Sequence, residues 1–169
     1  FCALLTSSGK PITERISADR IQAYMRRVQE TLQEQVIIQL QYLGQECVSR
    51  IRGRGQSESW IDRTGNLRSS IGSAVYENGK KKLSTAFESV FGGQEGSEAG
   101  KRMIDALAKE YSQTYAMVVV AGMDYASYVE NMNGKDVLAS TRLWAESVIG
   151  ERIEDALHNA EEIIKKIEL

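Results

Sequence analysis

A glycine-rich stretch that ends in Gly100-Lys101 is the part of the chain closest to a nucleotide site. A phosphate loop needs a glycine five residues before Gly100 and a serine or threonine after the lysine, so that backbone amides surround the phosphates and a hydroxyl holds magnesium. Glu95 and Arg102 occupy those positions. Glu95 and Glu98 would also repel a phosphate. We therefore predict a loop here, not a nucleotide hydrolase.

His158 and Cys47 are the remaining candidates for catalysis. A general base needs an orienting partner and a nucleophile within reach, and His158 has only acidic helix neighbours, so we expect a solvated histidine. Cys47 lies on an apolar stripe, where a thiol acts as a small hydrophobic group. One histidine and two cysteines do not suffice for a His-rich or Cys-rich zinc site. We predict no enzyme, and no catalytic, cofactor-binding or metal-binding residues.

A polar stretch from Arg50 to Arg68 carries the main basic cluster. Acidic residues are interleaved with it and only Trp60 is available to stack on a base, which disfavours nucleic acid. The 21 basic and 23 acidic residues of the whole chain nearly cancel, which also disfavours it. We expect the cluster to face an acidic surface, such as the last helix of a neighbouring copy; a nucleic-acid-associated accessory protein is the alternative. The candidate interface residues of this stretch are Arg52, Arg54, Arg63 and Arg68.

The last helix carries carboxylates on its outer face. We interpret this face as solvated, or as the contact of a basic partner, in preference to a metal or acid–base site. No apolar run approaches the roughly 18 residues that span a bilayer, so we predict no membrane segment, and we predict no small-molecule substrate. The carboxylates are Glu146, Glu151, Glu154, Asp155, Glu161 and Glu162.

Two long amphipathic helices must position these groups. Apolar residues recur at steps of three or four from Ile21 to Ile51, the period of one helix face, and Thr13 or Ser17 is suited to cap the helix start. A helix of about 35 residues would be about 50 Å long. Because that exceeds the diameter of a small domain, part of this helix must project or pack against another chain. A second such helix is predicted from about Ser140 to Ile167.

The middle of the chain is predicted to form a small sheet. The side chains from Ile71 to Glu77 alternate in the manner of a β-strand. Asn78-Gly79 favours a tight hairpin because both residues accept positive φ. We expect the return strand from about Lys82 to Phe91, a flexible connector at Gly92–Gly96, and a helix capped by Ser97. A buried strand is predicted at Tyr115–Ala121 and an extended segment at Tyr125–Val129.

These elements predict an α+β fold with a mostly antiparallel small sheet that contains a β-hairpin, one middle helix, and long N- and C-terminal amphipathic helices. Residues 1–16 are predicted to be an irregular N-terminal segment, and residues 17–169 a single α+β domain with long terminal helices.

Two motifs carry a family resemblance. Thr64-Gly65-Asn66-Leu67-Arg68-Ser69-Ser70-Ile71 opens the hairpin, and Tyr125-Ala126-Ser127-Tyr128-Val129-Glu130 follows the valine-rich strand. Together, in this order, they resemble the gene-product-ten-like family of tailed double-stranded DNA phages, whose members are neck, tail-completion or minor capsid proteins. Asn131-Met132-Asn133-Gly134 replaces the Phe-Gly-Thr that commonly follows the glutamate in the family.

The resemblance implies a non-enzymatic structural protein of the head–tail neck of a phage or prophage. It would assemble as a homo-oligomeric ring between connector and tail tube, with other neck and tail proteins as partners. Its location would be the virion, and the bacterial cytoplasm during assembly. We expect Gly65 to permit a tight turn and Arg68 to point outward. Tyr125, Tyr128 and Glu130 complete the candidate interface, because tyrosines offer amphipathic contact area.

Overall fold

The structure, a computed structural model, describes residues 17–55, 59–111, 115–132 and 135–167. The predicted N-terminal segment 1–16 lies outside the described residues. The α+β class is confirmed: a three-stranded antiparallel sheet is flanked by long helices at both ends of the chain. The helices are α1 (Ala18–Gly53), α2 (Asn66–Ser69), α3 (Gln94–Leu107), α4 (Ala126–Glu130) and α5 (Ala139–Ile164), and the strands are β1 (Ile71–Glu77), β2 (Lys80–Ser84) and β3 (Tyr115–Ala121).

The first helix confirms the predicted long apolar element. The Ser17 hydroxyl accepts a hydrogen bond from the Arg20 N–H at 3.3 Å and caps its start. Its 36 residues give a length of about 54 Å. The stripe is buried only from Ile37 to Ile51, while all residues from 17 to 23 are exposed. The sheet therefore covers the C-terminal half of α1 and leaves its beginning uncovered.

Helix α5 runs antiparallel along α1. The Arg50 guanidinium lies 3.8 Å from the Trp144 ring centroid, and Arg152 binds both carboxylate oxygens of Glu46 at 2.7 and 2.8 Å. Both helices rise by the same distance per residue, so counting from the Glu46–Arg152 pair places the end of α5, at Ile164, beside about residue 34 of α1. The predicted acidic face of α5 is exposed over its length.

The hairpin is confirmed, with a φ of +48° at Asn78 and +77° at Gly79. Strand β1 lies between β2 and β3 and is buried on both faces. On one face Val75 contacts Ile37 and Leu40 of α1, and on the other Tyr76 packs with Ile104 of α3. The result is three layers, with α1 and α5 on one side of the sheet and α3 on the other.

The predicted return strand was too long, because β2 ends at Ser84 and not near Phe91. The Thr85 N–H still reaches the Ser73 carbonyl at 2.9 Å, and then the chain leaves the sheet. Phe87 turns into the core beneath α3. Phe91 adopts a positive φ of 49° and is 84% exposed, which ends any extended pairing.

The glycine-rich stretch is a packing element and not a flexible connector. Helix α3 begins at Gln94, three residues before the predicted cap, and Ser97 is buried and donates to the Phe87 carbonyl. A Cβ on Gly96 would lie 1.9 Å from the Asn66 carbonyl oxygen, and one on Gly100 would lie 2.3 Å from the Phe87 ring. The glycines allow α3 to approach α2 and the core.

The segment after β3 was predicted to be extended and instead forms α4. The Ala126 N–H donates to the Met123 carbonyl and the Val129 N–H to the Tyr125 carbonyl, at 2.9 and 3.0 Å. One helical turn buries Ala126 and half-buries Val129, whose spacing of three residues places both on one side. Tyr125 and Tyr128 then remain 41% and 69% exposed.

Candidate protein-interaction site

The two motif segments, which are far apart in sequence, line a single cavity of about 380 Å³. Trp60, Leu67 and Val129 contribute its buried or half-buried apolar wall. We call this feature the motif cavity. Its exposed lining consists of Ile61, Arg63, Thr64, Tyr125 and Met132, with the half-exposed Lys135 and the half-buried Asp62 beside them.

A tight turn before α2 fixes one wall of the motif cavity. The Asp62 carboxylate accepts the Gly65 N–H at 3.1 Å, and Gly65 has a φ of +76°. This confirms the predicted role of Gly65, because a side chain is strained in that conformation. A Cβ there would also lie 1.8 Å from the Val90 carbonyl oxygen.

Arg68 points into the protein, so its predicted outward direction was wrong. Its Nε lies 3.4 Å from the Asp62 carboxylate, and its guanidinium carbon lies 5.1 Å from the Trp60 ring centroid. It also donates to the carbonyl oxygens of Arg52 and Arg54. These carbonyls belong to the last turn and C-cap of α1, where a cation satisfies acceptors left open by the helix.

Arg52 and Arg54 likewise hold the chain together. Arg52 donates to the Ile71 carbonyl at 2.9 Å, and burial lowers the pKa of its guanidinium. Arg54 lies 2.8 Å from the Asp136 carboxylate and donates to Thr141. Burial opposes ionisation of Asp136, but hydrogen bonds from Ser140 and the charge of Arg54 outweigh it and lower the pKa of the carboxyl.

These contacts separate the four candidate arginines into two kinds. Arg52, Arg54 and Arg68 donate to backbone or side-chain acceptors of their own chain, so phosphate binding would compete with those bonds. Arg63 is exposed at the motif cavity. The geometry therefore leaves Arg63 as the arginine of this group that is best placed for an outside partner.

Glu130 caps α5. One of its carboxylate oxygens accepts the N–H groups of Val137 and Leu138 at 2.9 and 2.7 Å, and the other accepts that of Ala139 at 2.9 Å. A carboxylate at a helix N-terminus satisfies open donors and interacts favourably with the helix dipole. The structure thus places this candidate interface residue in a positioning role, holding α4 against the start of α5.

The tyrosines of the second motif present contact area at the surface. Tyr125 lines the motif cavity, and burial together with the nearby Asp62 raises the pKa of its hydroxyl. Tyr128 lies on the same short helix with most of its ring exposed. Ile61 and Met132, at 59% and 43% exposure, add apolar area that was not among the predicted interface residues. Only the fold brings these two positions together.

The groups considered for catalysis lie apart from the motif cavity. Cys47 is buried, and that burial raises the pKa of its thiol to about 11, so the nucleophilic thiolate is scarce at neutral pH. His158 is exposed on α5. In the described ranges, no group of three or more histidine, cysteine, aspartate or glutamate side chains is placed to hold a metal ion.

The helices that the structure describes include none whose length and apolar character would let it cross a membrane. No family model matches the chain, and neither a curated protein nor a solved structure matches it at a significant level.

Proposed function

We propose that this chain is a non-enzymatic structural protein of the head–tail neck of a tailed phage or prophage, where it completes the tail as an oligomeric ring between connector and tail tube. One observation carries the proposal: the beginning of α1 extends past α5 with Ile21 and Met25 exposed by 47% and 58%. Exposed apolar residues at helical spacing on a projecting helix gain free energy when a partner covers them.

The motif cavity supports the same function. Both motifs that resemble the phage family contribute to one surface, and its exposed aromatic and apolar groups are typical of interface cores. Arg63 and Lys135 give this surface a positive rim. An acidic, partly apolar partner surface complements it.

The chain itself carries such a partner surface on α5. Leu157 is 51% exposed there, with Glu154 and Glu161 within one turn of it. The motif cavity lies at the C-terminal end of α1, whereas Leu157 lies beside about residue 40 of α1, so about 20 Å of helix separates the two surfaces. A contact between two different surfaces of two copies is head-to-tail, and such contacts produce rings when the rotation closes.

Three double variants test this arrangement. Leu157→Ser with Glu161→Gln alters the acidic surface of α5, and Ile61→Ser with Arg63→Glu alters the motif cavity. Ile21→Ser with Met25→Ser removes the exposed apolar side chains at the beginning of α1. Phe91→Ser is the control, because Phe91 is 84% exposed in a turn that belongs to none of these surfaces. We expect the control to form the same oligomer as the unaltered chain in light scattering and electron microscopy, and each double variant to form smaller species.

Mixing the first two of these variants separates head-to-tail assembly from other kinds. The Leu157 variant keeps the motif cavity and the Ile61 variant keeps the α5 surface, so an equal mixture should form a one-to-one heterodimer although neither variant associates alone. A chain that stays monomeric at high concentration, also with the connector and tail proteins encoded beside it, contradicts the proposal. Absence of terminase, portal and tail-tube genes from its neighbourhood contradicts the phage assignment specifically.

A further inference from the structure

The two edges of the sheet differ in how they are protected. Strand β2 is short, carries three consecutive exposed lysines, Lys80 to Lys82, and its pairing with β1 is irregular between Val75 and Tyr76. Short length, lysines and bulges are features that prevent an edge from pairing with another chain. Strand β3 has none of these features. It is seven residues long, contains no charged residue and no proline, and pairs with β1 in a regular register. The β3 edge therefore lacks the features that protect the β2 edge.

The outward-facing backbone groups of β3 follow from its register. The Gly122 N–H donates to the Ser70 carbonyl, which identifies this pair as hydrogen-bonded. Alternation along an antiparallel ladder then points the backbone of Val118 and Val120 toward β1, and that of Met117 and Val119 away from it. Among the described residues, no backbone hydrogen bond reaches the outer side of Met117 or Val119.

Apolar cavities flank this edge on both faces of the sheet. One, of about 430 Å³, lies on the α1 side and is lined by Met117, Cys47 and Ala145; the other, of about 490 Å³, lies on the α3 side and is lined by Val120 and Leu107. Both are also lined by Val119, Leu138 and Arg142, so they are the two halves of one cleft along β3. A strand at this edge would direct alternate side chains into the two halves.

The charges and the opposite wall of the cleft indicate what kind of segment it binds. Its charged side chains already have partners: Glu130 accepts three α5 backbone N–H groups, and Arg142 binds Glu146 at 2.8 Å. An uncharged occupant complements such walls. Leu138, Arg142, Ala145 and Ile149, spaced on one face at the start of α5, form the wall opposite the strand. The β3 of a second copy would bring its own sheet and helices against this wall, whereas a single extended segment would not.

We propose that the cleft beside β3 binds an extended, uncharged segment of about five to seven residues from another protein, which adds to the sheet as a fourth strand. Main-chain hydrogen bonds to Met117 and Val119 would hold it, and its apolar side chains would fill both halves of the cleft. This inference uses neither surface of the proposed ring contact, so each can fail without the other.

Hydrogen exchange and synthetic peptides test the proposal. In the free chain the amides of Val118 and Val120 should exchange slowly and those of Met117 and Val119 quickly. The probe is an acetylated and amidated peptide, Ser-Ala-Met-Val-Val-Val-Ala-Ser, shown to be monomeric by sedimentation at the concentration used. Binding should slow exchange at Met117 and Val119 at least roughly tenfold.

Two N-methylated forms of the peptide distinguish strand pairing from nonspecific apolar contact. Methyl groups on alternate nitrogens remove every second donor, so one alternation should lower affinity at least about tenfold and the other should leave it nearly unchanged. Equal effects of both forms, or no binding at 1 mM peptide (about the weakest affinity a specific contact shows), overturn the proposal. Protection of Met117 and Val119 that rises with the concentration of the chain alone overturns it in favour of a second copy.

Val119→Pro gives an independent test, because it removes an outward N–H without taking a donor from the ladder. Ser84→Pro is the matched control, since the alternation set by Thr85 and Ser73 also points the Ser84 N–H outward, on the lysine-bearing edge. We expect Val119→Pro to abolish peptide binding and Ser84→Pro to retain it. Should Val119→Pro fail to fold, the N-methylated peptides decide the question with the unaltered chain.

Discussion

Replacement of Glu130 tests how the second motif acts. Its carboxylate accepts three backbone N–H groups between 2.7 and 2.9 Å at the start of α5. Hydrogen bonds to charged groups contribute about 1.5–3 kcal/mol each where water is excluded, and losing an N-cap costs about 0.5–2 kcal/mol. Because Glu130 is only half-buried, water replaces part of what is lost. We expect Glu130→Ala to lower the unfolding free energy by about 3 kcal/mol.

Glu130→Gln refines the expectation, since the amide keeps one acceptor oxygen and loses the charge. It should cost about half as much as Glu130→Ala. The matched control is Glu151→Ala on the exposed face of the same helix, which should change stability by less than about 0.5 kcal/mol. Urea unfolding followed by circular dichroism measures all three, and for a chain of this length 3 kcal/mol corresponds to a Tm change of roughly 6–12 °C.

If Glu130→Ala and Glu151→Ala unfold at the same urea concentration with the same slope, the three hydrogen bonds do not hold the start of α5. A large loss of assembly with unchanged stability would instead make Glu130 a direct contact residue, as predicted from its motif.

The remaining predictions concern packing and titration. Gly96→Ala should destabilise the chain by several kcal/mol, because its Cβ would lie 1.9 Å from a backbone oxygen, whereas Gly53→Ala, with open space around it, should stabilise slightly; thermal unfolding compares them. Cys47 should react with a thiol reagent at pH 8 only as fast as the chain opens. Because the folded pKa of Cys47, about 11, lies above the value of 9.0 for an ordinary thiol, the protein should also lose stability as the pH rises from about 9 to 11. Cys47→Ala should not show this loss. The pKa of Asp136 is lowered in the folded state, so its contribution is present above pH 4 and lost as the pH falls through the lowered pKa; Asp136→Asn should flatten this acid limb of the stability curve.

The sequence predicted the elements whose signals are local and long. The apolar period of α1, the Asn78-Gly79 turn and the valine-rich β3 each occur in one continuous stretch, and all three are confirmed. The segment Tyr125–Val129 was predicted wrongly because five residues are too few to distinguish the period of a strand from that of a helix.

The candidate site depended on distant partners, which the sequence does not display. Arg68 reads as an exposed basic residue, and only the fold brings the end of α1 and the Asp62 turn to its guanidinium. Glu130 caps a helix that begins nine residues later, well outside the spacing of a capping box. The burial of β1 on both faces likewise follows from α1 and α3, not from its alternating pattern.

The proposed assembly would account for the arrangement of these exposed surfaces. A small domain that functioned alone would reduce its risk of aggregation by shortening α1 to the length that α5 covers and by placing a charge on β3, as β2 has in Lys80 to Lys82. Instead the sequence keeps Ile21 and Met25 on uncovered turns and keeps β3 uncharged. Each of these features has a cost in the isolated chain, because exposed apolar groups and open strand edges promote aggregation. Their presence at separate places on one chain is explained most simply if each is covered by a different neighbour.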